Sequence, residues 1–68
     1  MEFKNLKPAL PVGKFYLVDV IMQSHSYSVK GAKSIDIGPT HLLLNFPPER
    51  ARMIELAGAD IEITVVEV

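Results

Sequence analysis

The stretch from Phe46 to Val65 constrains the fold more than any other part of this chain, because it contains the signals of a helix followed by those of a strand. Pro47 and Pro48 followed by Glu49 are typical of a helix start, since proline in the first turn forfeits no hydrogen bond and an acid suits the helix dipole. At about 100° per residue, four apolar side chains then fall on one face of the helix: Ala51, Met53, Ile54 and Ala57. Gly58 supplies a stop, so the pattern predicts a short amphipathic helix packed through one face.

Four other segments have the composition of strands. Residues 14–23, 27–37, 41–46 and 60–68 are rich in β-branched, aromatic or alternating apolar residues and are separated by turn signals. Within residues 27–37, the sequence Lys30-Gly31-Ala32-Lys33 interrupts the alternation without changing its parity. This segment is either one kinked strand or a hairpin of two short strands, and we favour the kinked strand.

Two of these strands have unusual apolar patterns. In residues 14–23 one side carries Tyr16, Val18, Val20 and Met22, whereas the other carries Phe15, Leu17 and Ile21 around a single acid, Asp19. Apolar residues on both faces predict a central strand that is covered on both sides, with Asp19 in an ion pair or at an edge. In the last strand, Val66-Glu67-Val68 inverts the alternation, which predicts a bulge or a strand end that pairs with something else.

Together these segments predict an α+β fold. Residues 1–13, with Pro8, Pro11 and Gly13, form an extended N-terminal arm, and residues 14–68 form a single small domain. The domain has a three- to five-stranded, mostly antiparallel sheet with one short helix on one face, in the order β-β-β-α-β. Because one helix covers only one face, the other face of the sheet has no evident cover within the chain.

The size of the chain favours association. A domain of 68 residues buries only about 60% of the surface that its unfolded chain exposes, yet 49% of these residues are hydrophobic and none is cysteine. Small cores without disulfides or metals often depend on oligomerisation. We therefore expect a non-enzymatic interaction or assembly module that forms a homo-oligomer or docks on a larger protein through a sheet face or edge. The expected contact residues are Phe3, Leu6, Tyr16, Val18 and Met22.

The charge distribution suggests an alternative function. Residues 1–34 hold five lysines against two acids, a net charge of +3, whereas residues 35–68 hold two arginines against six acids, a net charge of −4. Lysines interleaved with aromatic residues on strands are typical of single-stranded nucleic-acid binding. The residues that would serve this function are Lys14, Phe15, Tyr27, Lys30 and Lys33. A net charge of −1 for the whole chain makes this the weaker hypothesis.

No pattern in the sequence predicts catalysis, a metal or a cofactor. The two histidines, His25 and His41, have no further ligands at a suitable spacing, and Ser24-His25-Ser26 is typical of a polar turn. The four glycines lie in separate elements and form no phosphate-binding loop. No apolar run is long enough for a membrane span and no secretory signal is visible, so we expect a cytoplasmic protein.

Overall fold

A computed structural model describes residues 2–68, and this part of the chain forms seven β-strands and no helix. All strand pairs are antiparallel, and they form a four-stranded sheet in the order β1-β4-β5-β6 and a three-stranded sheet in the order β3-β2-β7. The strands are β1 (Lys4–Lys7), β2 (Tyr16–Ile21), β3 (Ser26–Ala32), β4 (Ser34–Ile37), β5 (His41–Phe46), β6 (Arg50–Glu55) and β7 (Glu62–Glu67).

A single hydrophobic core lies between the two sheets. Residues of β2 to β7 point toward it, and their side chains join into one cluster drawn from both sheets. The largest fully buried side chains are Val18 and Val20 of the three-stranded sheet and Ile35, Leu42 and Leu44 of the four-stranded sheet. Each sheet therefore buries its inner face against the other sheet.

The chain passes between the sheets at Lys33. Strands β3 and β4 are separated by this one residue and do not pair with each other, since β3 pairs with β2 whereas β4 pairs with β1 and β5. The pairing of β2 with β3 shifts register beside Gly31, which has a positive φ of 106°. Residues 26–37 are therefore two strands in different sheets, neither the single kinked strand that we favoured from the sequence nor a hairpin of two paired strands.

The predicted α+β fold is wrong, because the segment expected to be a helix is a strand. Arg50–Glu55 forms β6, which pairs with β5 from Phe46↔Arg50 to His41↔Glu55. Residues 47–49 are the turn of this hairpin. Ile54 is the only buried side chain of β6, so the apolar face that the helical pattern suggested is not used. Tertiary pairing with β5 overrides a weak local helix preference.

Two further expectations about the sheet need correction. Strand β2 is central in its sheet, as predicted, but it is covered on one face only: its inner residues are buried, whereas Ile21 on the outer side is 49% exposed. Strand β7 pairs with β2 in continuous register without a bulge, so the inverted apolar pattern at its end places Val66 on the outer face. The expected sheet with a single uncovered apolar face is replaced by two sheets that cover each other.

The N-terminal arm is attached to this sandwich. Lys4–Lys7 forms the edge strand β1 beside β4, and the amide of Leu10 donates a hydrogen bond to the carbonyl oxygen of Lys33 at 3.1 Å. The side chain of Leu10 packs partly against the core. The arm thus contributes an edge to the four-stranded sheet and closes over one end of the core.

Candidate interaction surface

The outer face of the three-stranded sheet has an apolar patch, which comprises the exposed residues Val66 and Val68 and the half-buried residues Phe15 and Leu17. Leu17 lies directly opposite Val66 across the pairing of β2 and β7. Phe15 and Val68 extend that ladder through two backbone hydrogen bonds, of 3.2 and 2.8 Å. Val66 and Val68 are each 48% exposed. Because Tyr16 and Val18 point into the core, strand alternation directs the four patch residues to the outside.

Charged residues flank the apolar patch with opposite signs at its two ends. At the basic end, the ammonium of Lys33 lies 4.6 Å from the centroid of the Phe15 ring, in a cation–π contact, whereas Lys30 lies beside the middle of the patch, opposite Leu17. Further along the same face lie Asp19 and then Glu62, which pairs with Ile21. The outer face of this sheet therefore runs from a basic end through an apolar middle to an acidic end.

The outer face of the four-stranded sheet is different, because polar side chains bond to one another across its strands. Asn45 donates hydrogen bonds to the Ser34 hydroxyl at 3.1 Å and to the Asp36 carboxylate at 3.0 Å, and Asn5 donates to the same carboxylate at 3.2 Å. Leu43 and Met53 form one apolar pair beside this network. The extended apolar area of the molecule thus lies on the three-stranded sheet.

The structure separates the predicted contact residues into buried and exposed ones. Tyr16, Val18 and Met22 belong to the core, with 2, 0 and 9% of their surfaces exposed, so they are not available on the surface. Phe3 is half-buried near Gly38, and Leu6 is 38% exposed. The sequence reasoning missed the apolar patch, although the two-sided pattern of residues 14–23 and the inversion at Val66 both indicated it.

The five residues proposed for nucleic-acid binding do not form one surface. Phe15 belongs to the apolar patch and Lys30 and Lys33 lie beside it, but the Lys33 ammonium donates hydrogen bonds to the carbonyl oxygens of Pro11 and Lys14 at 2.7 and 2.8 Å. Tyr27 is opposite Val20, on the inner side of β3, and Arg52 lies 5.8 Å from its ring centroid. Lysine and aromatic residues are therefore divided between the two sides of the sheet.

Each histidine contacts the hydroxyl of the residue before it, His25 in the exposed turn before β3 and His41 at the half-buried start of β5. His25 Nδ1 lies 2.8 Å from the Ser24 hydroxyl oxygen and His41 Nδ1 lies 2.7 Å from the Thr40 hydroxyl oxygen. The His25 ring is stacked on Tyr27 with centroids 6.4 Å apart. Residues 2–68 contain no group of three or more acidic or histidine side chains arranged to hold a metal ion.

Tyr16 is the titratable residue whose environment perturbs it most clearly. Burial and, to a lesser degree, the nearby Glu67 carboxylate raise the pKa of its phenol above the ordinary value of 10.0. Its hydroxyl donates a hydrogen bond of 2.8 Å to the carbonyl oxygen of Pro8. This residue attaches the arm to the three-stranded sheet, which is a structural role.

The described residues contain no helix with the length and apolar character needed to cross a bilayer. Comparisons of the chain with models of protein families, with curated proteins and with solved structures found no match.

Proposed function

We propose that this chain is a non-enzymatic assembly module that self-associates through the outer face of its three-stranded sheet. The apolar patch supports this proposal, because it brings four apolar side chains together on the outer face of the three-stranded sheet. The outer face of the four-stranded sheet carries a hydrogen-bonded polar network instead. Contiguous exposed apolar surface with a polar rim is typical of protein interaction sites. The proposed contacts are therefore Leu17 and Val66, with Phe15 and Val68 beside them.

The charges on this face favour a second copy of the chain as the partner. A two-fold axis lying in the interface and crossing the strands places the apolar patch of one copy on that of the other. With the axis over the Leu17–Val66 row, the same rotation brings the acidic end of each copy, with Asp19, toward the Phe15 end of its neighbour, where the Lys33 ammonium lies. The surface is therefore complementary to itself in both hydrophobicity and charge.

Face-to-face packing has more support than pairing through the free edge of β7. That strand has Glu62 near one end and Glu67 at the other. An antiparallel pair of two such strands brings the Glu62 end of each copy to the Glu67 end of the other, so the acidic residues at the strand ends come close together. Charged residues at the edge thus discourage strand addition.

Sedimentation velocity over a concentration series tests the proposal. We expect a dimer for the unmodified chain and a monomer for the double variant Leu17→Thr, Val66→Thr. The matched control is Leu43→Thr, Met53→Thr, which alters the corresponding cross-strand pair on the outer face of the other sheet and should remain dimeric. A monomeric unmodified chain at high micromolar concentration, or equal dissociation of both variants, would contradict the proposal.

Charge reversal provides a second test of the orientation. Asp19→Lys makes both ends of the face basic, so the dimer should weaken, and added salt should recover part of the affinity by screening the repulsion. A dissociation constant that is unaffected by this change would contradict the two-fold arrangement. Self-association through another surface would then have to be sought.

Single-stranded nucleic-acid binding through Lys14, Phe15, Tyr27, Lys30 and Lys33 is the alternative function, and it has less support. These residues are divided between two sides of the sheet, and the Lys33 ammonium already contacts backbone carbonyl oxygens. Titration of a labelled oligonucleotide at low salt tests it, with Lys30→Glu as the variant expected to weaken binding.

A further inference from the structure

An open groove of about 370 Å³ lies between β3 and the turn that joins β5 to β6. Its volume is typical of sites for small ligands. We call it the basic groove, and it is lined by Gly31, Phe46, Pro47, Arg50, Ala51 and Arg52. None of these six residues is acidic, so the two guanidinium groups dominate the charge of its walls.

The two arginines occupy positions of β6 that elsewhere in the strand face the core. Arg50 and Arg52 share the parity of Ile54, which is 3% exposed, yet both arginines are exposed. Their side chains therefore extend on the side of β6 that faces β3, where they border the groove. Two residues on the same side of a strand are about 7 Å apart, and both arginines line this groove.

Aromatic rings lie beside each guanidinium group. Phe46 is the cross-strand neighbour of Arg50 and lines the groove. The guanidinium carbon of Arg52 lies 5.8 Å from the centroid of the Tyr27 ring, and the His25 ring stacks on the other part of that tyrosine. Planar rings next to guanidinium groups are suited to flat, anionic ligands, since bases stack on both and phosphate accepts bidentate hydrogen bonds from arginine.

Gly31 leaves one wall of the groove without a side chain. It adopts a φ of 106°, which favours glycine, and a Cβ at this position would lie 3.9 Å from a ring carbon of Phe46. The backbone at the kink of β3 is therefore bare on the side of the ligand, which permits close approach.

We propose that the basic groove binds a nucleotide, that is, a planar base joined to a phosphate, either free or as one unit of a single strand. The phosphate contacts Arg50 and Arg52, and the base stacks against Phe46. This site differs from the apolar patch both in position and in residues, so binding in the groove and self-association succeed or fail independently.

Amide NMR spectra of the whole chain test the proposal with four probes: uridine monophosphate, uridine, inorganic phosphate and a short oligouridine. We expect uridine monophosphate to shift the amides of Gly31, Ala51 and Arg52, and both uridine and phosphate to bind at least about tenfold more weakly, because each lacks one half of the recognised chemistry. Oligouridine that binds at the same amides with higher affinity identifies a strand as the source of the nucleotide, whereas equal or lower affinity identifies a free nucleotide.

Variants make the test specific to the groove. Arg50→Gln, Arg52→Gln should raise the dissociation constant for uridine monophosphate at least about tenfold. The matched control, Lys4→Gln, Lys7→Gln, removes two cations from β1 at the opposite edge of the same sheet and should change it by less than about twofold. Phe46→Leu removes the ring but retains apolar packing and should also weaken binding, and if this variant does not fold, the arginine variant decides.

The proposal is overturned if none of the four probes shifts the amides of the groove at millimolar concentration. It is also overturned if the arginine variant and the unmodified chain bind uridine monophosphate equally well. In either case the arginines serve only to protect the edge of β6, since inward-pointing charges on an edge strand prevent pairing with other chains.

Discussion

The hydroxyl of Tyr16 donates a hydrogen bond of 2.8 Å to the carbonyl oxygen of Pro8, and this bond attaches the N-terminal arm to the sheet. The tyrosine is 2% exposed, and burial, together with the Glu67 carboxylate, raises the pKa of its phenol. The folded state therefore retains the phenolic proton at pH values at which the unfolded chain has lost it.

We predict that the folded protein loses stability in alkali through Tyr16. Its contribution is fully present below the unfolded pKa of 10.0 and decreases as the pH rises from that value through the higher folded pKa. Urea unfolding between about pH 8 and about pH 11 measures this loss. Tyr16→Phe should show a weaker pH dependence, although it also loses the bond to Pro8, whereas Tyr27→Phe retains Tyr16 and should keep the steep dependence. Equal dependence in the unmodified chain and Tyr16→Phe would contradict the prediction.

Two adjacent leucines of β5 should differ strongly in their contributions to stability. Leu44 is fully buried between the sheets, whereas its neighbour Leu43 is half-buried on the outer face. Leu44→Ala should lower the free energy of unfolding by about 3 kcal/mol through lost burial and a new cavity, and Leu43→Ala by about 1 kcal/mol or less. Denaturant titration measures both values, and similar losses for the two variants would show that the core does not lie between the sheets.

The kink in β3 should depend on glycine. Gly31→Ala forces a residue with a side chain to adopt a φ of 106°, so the free energy of unfolding should fall by about 1–2 kcal/mol. Lys30→Ala, at the exposed position just before the kink, serves as the control and should change stability by about 0.5 kcal/mol or less. Thermal unfolding compares the variants, and an alanine that leaves the midpoint unchanged would refute the assigned backbone conformation.

Because β6 is a strand, a β-branched residue placed in it should not lower the stability of the protein. Met53 is 50% exposed and lies opposite Leu43. Met53→Val should leave stability unchanged or increase it by a few tenths of a kcal/mol, because valine suits a strand, whereas in a helix the same change is unfavourable by about 0.5 kcal/mol. Far-ultraviolet circular dichroism of the unmodified chain provides the direct check, and a helical spectrum would contradict the all-β fold.

Strands with strong β composition could be predicted from the sequence. The segments that form β2, β5 and β7 were placed correctly because each has alternating or continuous apolar residues between turn signals. In these elements local preference and tertiary environment agree.

Strand β6 could not be predicted, because its local pattern fits a helix better than the structure that it adopts. Only Ile54 of its six residues is buried, and alternation is therefore almost absent from its sequence. The strand is defined by its hydrogen bonding to the six residues of β5, and this pairing depends on the whole fold. A segment at a sheet edge needs few apolar residues, and pattern analysis has little to detect there.

Two irregularities in the sequence indicated the apolar patch, but only the register of the strands shows that they belong together. The second apolar side of β2 and the inversion at Val66 lie far apart in the chain, and only the pairing Leu17↔Val66 shows that they form one patch. The basic groove had no such signal, because in the expected helix Arg50 and Arg52 are about 200° apart and share no face.

The passage of residues 26–37 from one sheet to the other makes the length of this segment critical. Because Lys33 is the single residue between β3 and β4, inserting or deleting one residue there would turn the inward side chains of one strand outward and shift its partners in the neighbouring sheet. The turn at residues 47–49, which joins two strands of the same sheet, has no such constraint. Natural variation in chain length should therefore accumulate at the hairpin and be absent from the crossover.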